Sequence, residues 1–408
     1  MTSRRGFLLI AAGLFAVGLT LRPQVVAIGP LTAGIGRGLD VSHAVTGLLA
    51  TIPVLCMGLL APPAQMLLAR YGSRAGLALC LGLISVFGIA RALSPPAAAV
   101  ILLTVPVGIG IALAQAMLPA LVKARFAAKP VFATGLYTVG MSAGGAISTI
   151  AAVPLANVLG GWRGTLVAFS VFAGVVVPAW LLLTRGDPPE ERRPAAWPSL
   201  PLRSRTAWLL VFYFTVVAVL YYGLNHWLAE SYVERGWEES RAGVLVGVMN
   251  LCSLPGTFFV AALADRFGTR RAWLIGIGAM SLLGTAGVVA LPDGAWLWVV
   301  LIGLANGGVF PLLMTLPLDV SREPREVGAV VAMMLGVGYT LSATSPLVLG
   351  ALRDATGSFT GALWALVGVA ILYMTVPVLL TPQRLGRGVA VGRSAITRRA
   401  RGRGSDSG

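Results

Sequence analysis

Leu68-Ala69-Arg70-Tyr71-Gly72-Ser73-Arg74 returns as Ala264-Asp265-Arg266-Phe267-Gly268-Thr269-Arg270, at a constant offset of 196 residues. Each copy lies between two long apolar runs, so the repeated unit is a short basic turn joining helices. Pro119 and Pro311, near the ends of two other apolar runs, stand at a similar offset. Shared marks in the same order on both sides of a chain are the sign of a duplicated unit.

Working outward from the two turns, apolar runs bounded by charge or Pro/Gly punctuation number twelve. They cover about 7–35, 45–68, 75–93, 98–121, 131–158, 163–184, 207–229, 242–263, 272–291, 295–317, 327–351 and 359–380. Each is near the roughly 20 residues that a helix needs to cross a bilayer. Hydrophobic residues make up 57% of the chain and charged ones 11%, against about 25% charged in soluble proteins. Mean hydropathy is +0.84. The 51 glycines and 25 prolines suit transmembrane helices, and no alternating barrel pattern occurs. The reading is an all-α integral membrane protein with 12 transmembrane helices in two pseudo-symmetric six-helix halves. Residues 1–184 form the first half, 185–206 a cytoplasmic linker rich in Pro and mixed charge, 207–381 the second half, and 382–408 a basic disordered tail.

The net charge of +16 resides in loops and tail. Of the 31 Lys and Arg, 24 fall on one side of the spans. Six (Arg37, Arg91, Arg163, Arg235, Arg241 and Arg353) fall on the other, and Arg22 remains. That asymmetry puts both termini in the cytoplasm of a cell whose inner membrane the chain crosses. A basic tail without interleaved aromatics suits anionic lipid and excludes nucleic acid as a partner. Cys56, Cys80 and Cys252 lie in apolar runs with no metal-ligand spacing and read as packing residues. Ser3-Arg4-Arg5-Gly6-Phe7 looks like a twin-arginine export signal. The apolar run continues past Arg22 with no small-residue cleavage site, so the expectation is an uncleaved first helix.

Asp265-Arg266-Phe267-Gly268-Thr269-Arg270-Arg271, placed after span eight, resembles the loop signature of the major facilitator superfamily. The resemblance implies two halves that rock about a central site, with Asp265, Arg266, Gly268 and Arg270 forming a cytoplasmic latch between helix ends. Ala69 replaces the acid in the first copy, so that latch is incomplete. Three further stretches are similar to the cyanate/2-nitroimidazole transporter group: Leu21-Arg22-Pro23 with Gly29-Pro30, Tyr221 to Leu228, and Gly338-Tyr339-Thr340-Leu341 through Gly357. Substrates differ within that group, so its named substrates transfer poorly.

Arg22 is the sharpest candidate. It sits mid-span, where an arginine costs roughly 2.5–3.5 kcal/mol on insertion scales. Pro23 beside it removes a backbone donor, so the helix is expected to kink or open there. All 15 acids lie in or near loops and termini, Glu230 and Asp319 closest to the membrane, so no carboxylate is evident as a partner. A visiting anion or polar solute is the functional reading, and carbonyls or hydroxyls of neighbouring helices the structural one. Tyr222, Asn225 and His226 share a helical face and suit a small polar solute; an interfacial aromatic belt is the competing reading. His226 is also weighed as a proton relay. Gln115 and Asn306 are lone amides that line the site or bond another helix. Gln24, two residues from Arg22, faces elsewhere and reads as a packing hydrogen bond. Glycines at 135, 140, 144, 145, 336, 338 and 350 read as close-packing positions.

These readings make the chain a secondary active or facilitative transporter of a small anionic or polar solute. Protons as a second partner stay open, as do symport, exchange and uniport. No cofactor is expected, and a monomer is. Proton-coupled efflux of drug-like compounds is the alternative; an integral-membrane enzyme or sensor is more distant, for want of catalytic groups in the spans or a signalling domain.

Overall fold

A computed structural model describes residues 4–125, 130–185, 200–264, 269–320 and 324–380. Among them no strand occurs. Span one comprises α1 (Arg4–Leu21), α2 (Pro23–Val26) and α3 (Ile28–Leu39). Span two is α4 (His43–Leu59) with the beginning of α5 (Ala61–Leu93), whose remainder is span three. Spans four to six are α6 (Ala97–Arg125), α7 (Pro130–Val158) and α8 (Trp162–Leu183). Spans seven to ten are α9 (Arg205–Val233), α10 (Glu239–Leu263), α11 (Arg270–Ala290) and α12 (Ala295–Val320). Span eleven is α13 (Pro324–Ser342) plus α14 (Thr344–Thr356), and span twelve is α15 (Phe359–Thr375). Eleven described stretches are long and apolar enough to cross a membrane, and His43–Leu59 is a further apolar helix.

Packing within the two halves follows one scheme. Spans three and four, three and six, one and five, and two and four are paired, as are nine and ten, nine and twelve, seven and eleven, and eight and ten. Adding six to each number in the first set gives the second. The halves meet along two main seams, span five on span eight and span two on span eleven, and span one also packs on span seven. The same operation exchanges these seams, so the fold is the twelve-helix, pseudo-symmetric bundle expected from the repeat.

Prolines explain where helices break. Pro23 and Pro30 remove the donors owed to the carbonyls of Leu19 and Val26, and span one divides into three. Span two, expected as one helix, is interrupted at Leu60, just before Pro62 and Pro63. Span eleven, also expected unbroken, is interrupted at Ala343, because Pro346 offers no N–H to the Ser342 carbonyl. The first copy of the repeated turn is confined to one residue, Gly72, at φ 72° and ψ 172°, a conformation that a side chain would strain. In the second copy Asp265, Arg266 and Gly268 lie outside the described residues. Arg270 donates to Asp319 Oδ2 at 2.6 Å and to the Thr315 carbonyl at 3.3 Å, joining α11 to α12.

At the end of the bundle opposite the N-terminus, charged side chains pin the halves together. Arg37 meets Glu239 at 3.1 Å. Asp354 accepts from the His43 and Ala44 backbone N–H groups at 3.3 and 2.9 Å and lies 2.8 Å from His43 Nδ1. A carboxylate from α14 thus caps the start of α4 in the other half, a favourable place for negative charge. The three cysteines are free thiols.

Candidate functional site

The break in span one sets the direction of Arg22. Its carbonyl accepts from both Val25 and Val26 at 3.0 Å, which tightens the chain just after Leu21. The arginine stem lies against Gly145 of α7, where a Cβ would come within 3.7 Å of Arg22 Cβ. The guanidinium reaches α9, with its central carbon 5.9 Å from the Tyr221 ring centroid. The hydroxyls of Tyr222 and Tyr339 lie beside it. Arg22 remains partly accessible, yet its Nη1 is buried with no hydrogen-bond partner. A charged donor left without an acceptor in such a place is costly unless something arrives to accept.

Around the guanidinium the aromatic rings are mutually braced. Tyr221 and Tyr222 meet edge-on at 5.2 Å, and Tyr222 and Tyr339 at 6.3 Å. The Tyr222 hydroxyl donates to Met57 Sδ of α4 at 3.7 Å. Gln115 of α6 lies against the Tyr339 hydroxyl, with its Oε1 buried and unpartnered. Tyr221 donates to Asn250 Oδ1 at 3.4 Å, and Asn250 donates to Asn225 Oδ1 at 2.8 Å. Asn225 in turn donates to the Tyr221 carbonyl at 2.9 Å. The cluster therefore draws on spans one, two, four, seven, eight and eleven, from both halves.

The structure gathers Arg22, Tyr222, Gln115 and, through Asn250, Asn225. His226 lies one turn further along α9, with its ring edge-on to Trp227 at 4.5 Å. It is 3% exposed, and neither ring nitrogen has a partner. No described hydrogen bond ties Asn306 to this cluster; its helix packs on α10 and α11, and both its amide atoms are unpartnered. Sequence reasoning missed Asn250, a lone amide in an apolar run that carried the same signal as Gln115. It quoted Tyr339 only within a resemblance and overlooked Met57, which no sequence signal marks.

A correction concerns Arg91, which the charge count assigned to a loop. It is 1% exposed, in the last turn of α5. Its Nη2 donates to Gln24 Oε1 at 2.6 Å and to the Gln24 carbonyl at 3.2 Å, and its Nη1 to Thr104 Oγ1 at 3.3 Å. The loop count on that side becomes five, and the first half carries within its spans two arginines of opposite character. Arg91 is held by amide and hydroxyl oxygens, while Arg22 presents a free N–H among phenols. Gln24 is the packing residue expected of it, with a further bond to Ser170 Oγ at 2.8 Å.

A family model described as Major Facilitator Superfamily matches residues 6–346 and 230–395. The chain is 30% identical to the cyanate transport protein CynX of Escherichia coli over 347 residues, 85% of this chain and 90% of that one. It is 27% identical to the 2-nitroimidazole transporter of Escherichia coli over 374 residues, 91% of this chain and 94% of that one. A crystal structure of a D-xylose-proton symporter superposes with a TM-score of 0.73 at 17% identity, covering 94% of this chain and 99% of the other.

Proposed function

The chain belongs to the Major Facilitator Superfamily, and on that premise we propose that it carries a small anion, or a strongly polar planar solute, across the cytoplasmic membrane by alternating access. It is a multi-pass membrane transporter of small solutes and not an enzyme. The observation that carries the finer reading is the buried, unpartnered Nη1 of Arg22 among three tyrosines. Arginine cannot lose its proton to escape burial, and its planar fork suits a carboxylate-like or linear anion. Tyr222, Gln115 and the Asn225–Asn250 pair supply hydroxyl and amide groups that orient a polar solute. His226 and Asn306, buried or half-buried with unsatisfied atoms, are proposed as further lining positions. Two similar proteins bear the names of a cyanate and a 2-nitroimidazole transporter, which makes cyanate and 2-nitroimidazole the first probes.

With this reading go the remaining expectations: halves at 1–184 and 207–381 joined by a cytoplasmic linker, both termini inside, the tail on anionic lipid, and a monomeric carrier. The latch role of Asp265, Arg266, Gly268 and Arg270 is carried forward, supported by the Arg270–Asp319 bond. The test is uptake of labelled cyanate and 2-nitroimidazole into proteoliposomes by the native protein and Arg22→Lys. The substitution keeps the charge and removes the fork, so transport of the accepted solute should fall to a small fraction with the protein still folded. Unchanged uptake would make Arg22 structural. Proton-coupled export is the second reading, favoured by Glu230, which is 9% exposed in α9 with Glu234, Glu239, Arg37 and Arg353 as its charged neighbours.

A further inference from the structure

Gln24 is where four spans of the first half meet. Its Nε2 donates to Ser170 Oγ of α8 at 2.8 Å, and its Oε1 and carbonyl both accept from Arg91 of α5, which also holds Thr104 of α6. Gln24 is 0% exposed and Arg91 1%. No backbone N–H is bonded to the Gln24 carbonyl, because the chain turns between α2 and α3 at Ala27. The Arg91 guanidinium takes the place of that missing donor, a substitution that buried backbone requires.

Arg22 and Gln24 are two residues apart and so leave the broken segment on opposite sides. One is anchored on both its side chain and its carbonyl; the other projects toward α9. From this geometry we infer that Arg91 is a positioning residue: through Gln24 it fixes the rotation of the α1–α2 break and thereby aims Arg22 into the site. Arg91 does not meet the solute. It supplies the donor that the turn at Ala27 leaves the Gln24 carbonyl without.

The inference rests on Arg22 as the anchor of the solute, but its test needs no solute. In a background carrying Cys56→Ala, Cys80→Ala and Cys252→Ser, position 22 is replaced by cysteine. Its modification by a neutral methyl methanethiosulfonate and by an anionic sulfonatoethyl one is timed, with Tyr221→Cys as the control site. Adding Arg91→Met or Gln24→Met should slow both reagents at position 22 by about tenfold or more and leave position 221 nearly untouched, since thiol modification follows access. Gln24→Glu, which retains acceptors for Arg91, should stay near the parental rate. Slowing of the anionic reagent alone would mean that Arg91 acts only by its charge, and the inference fails. Unchanged rates at position 22, or a parallel fall at position 221, also overturn it. If Arg91→Met does not fold, Gln24→Met decides alone. A protein that refuses every anion yet gives this pattern keeps the positioning role and loses the anion reading.

Discussion

Removing the Asp354 carboxylate should unfasten the two halves at one end. The side chain accepts two backbone N–H groups at the start of α4 and pairs with His43 Nδ1 at 2.8 Å. A net hydrogen bond contributes about 1 kcal/mol. Both partners are about a quarter exposed, so water takes up part of what is lost. Asp354→Ala should therefore favour separation of the halves at that end by about 1–2 kcal/mol, near tenfold in the equilibrium. Asp354→Asn, which keeps an acceptor and the shape, should fall between. The Arg37–Glu239 pair still holds, so the effect is a shift and not a collapse. Spin labels at Leu159→Cys and Asp293→Cys, in exposed loops of opposite halves at that end, would report it as a new long-distance population. An unchanged distance distribution in Asp354→Ala would refute the view that this carboxylate fastens the halves.

Two other outcomes follow from named contacts. A Cβ added at Gly29 would lie 2.6 Å from the Asn225 carbonyl oxygen and 2.8 Å from that of His226. Backbone on both sides cannot yield easily, so Gly29→Ala should cost about 1–3 kcal/mol and lower the melting temperature in detergent; an unshifted melt would mean that spans one and seven are not so close. Glu230→Gln should abolish any acceleration of transport by an imposed pH gradient if export is proton-coupled, and leave gradient-independent exchange intact. Retained gradient drive would remove Glu230 from coupling.

The architecture was legible because a membrane simplifies the code. Apolar length marks each span, and the turn after span two recurs 196 residues later after span eight. Arg22 was legible because a charge mid-span has no cheap explanation. Arg91 was not, since it sits three residues before Ser94-Pro95-Pro96, where a side chain that reaches outward to water and one that turns inward look identical in hydropathy. The breaks in spans two and eleven could have been read from Pro62, Pro63 and Pro346, but prolines are tolerated in so many membrane helices that their presence alone does not decide; α6 carries Pro106 and Pro119 unbroken. Asn250 needed a neighbour, Asn225, from a different span, and spacing along one chain cannot show that.

The lack of an acidic partner for Arg22 among the described residues has an electrical consequence. On the anion reading, a site occupied by a monovalent anion is locally neutral, while the vacant site keeps one positive charge inside the bilayer. A potential of 100 mV acts on a full elementary charge with about 2.3 kcal/mol, so voltage would bear on the return of the vacant carrier and hardly on the loaded one. Arg91, bound within the first half alone, moves with that half and adds the same charge to both journeys.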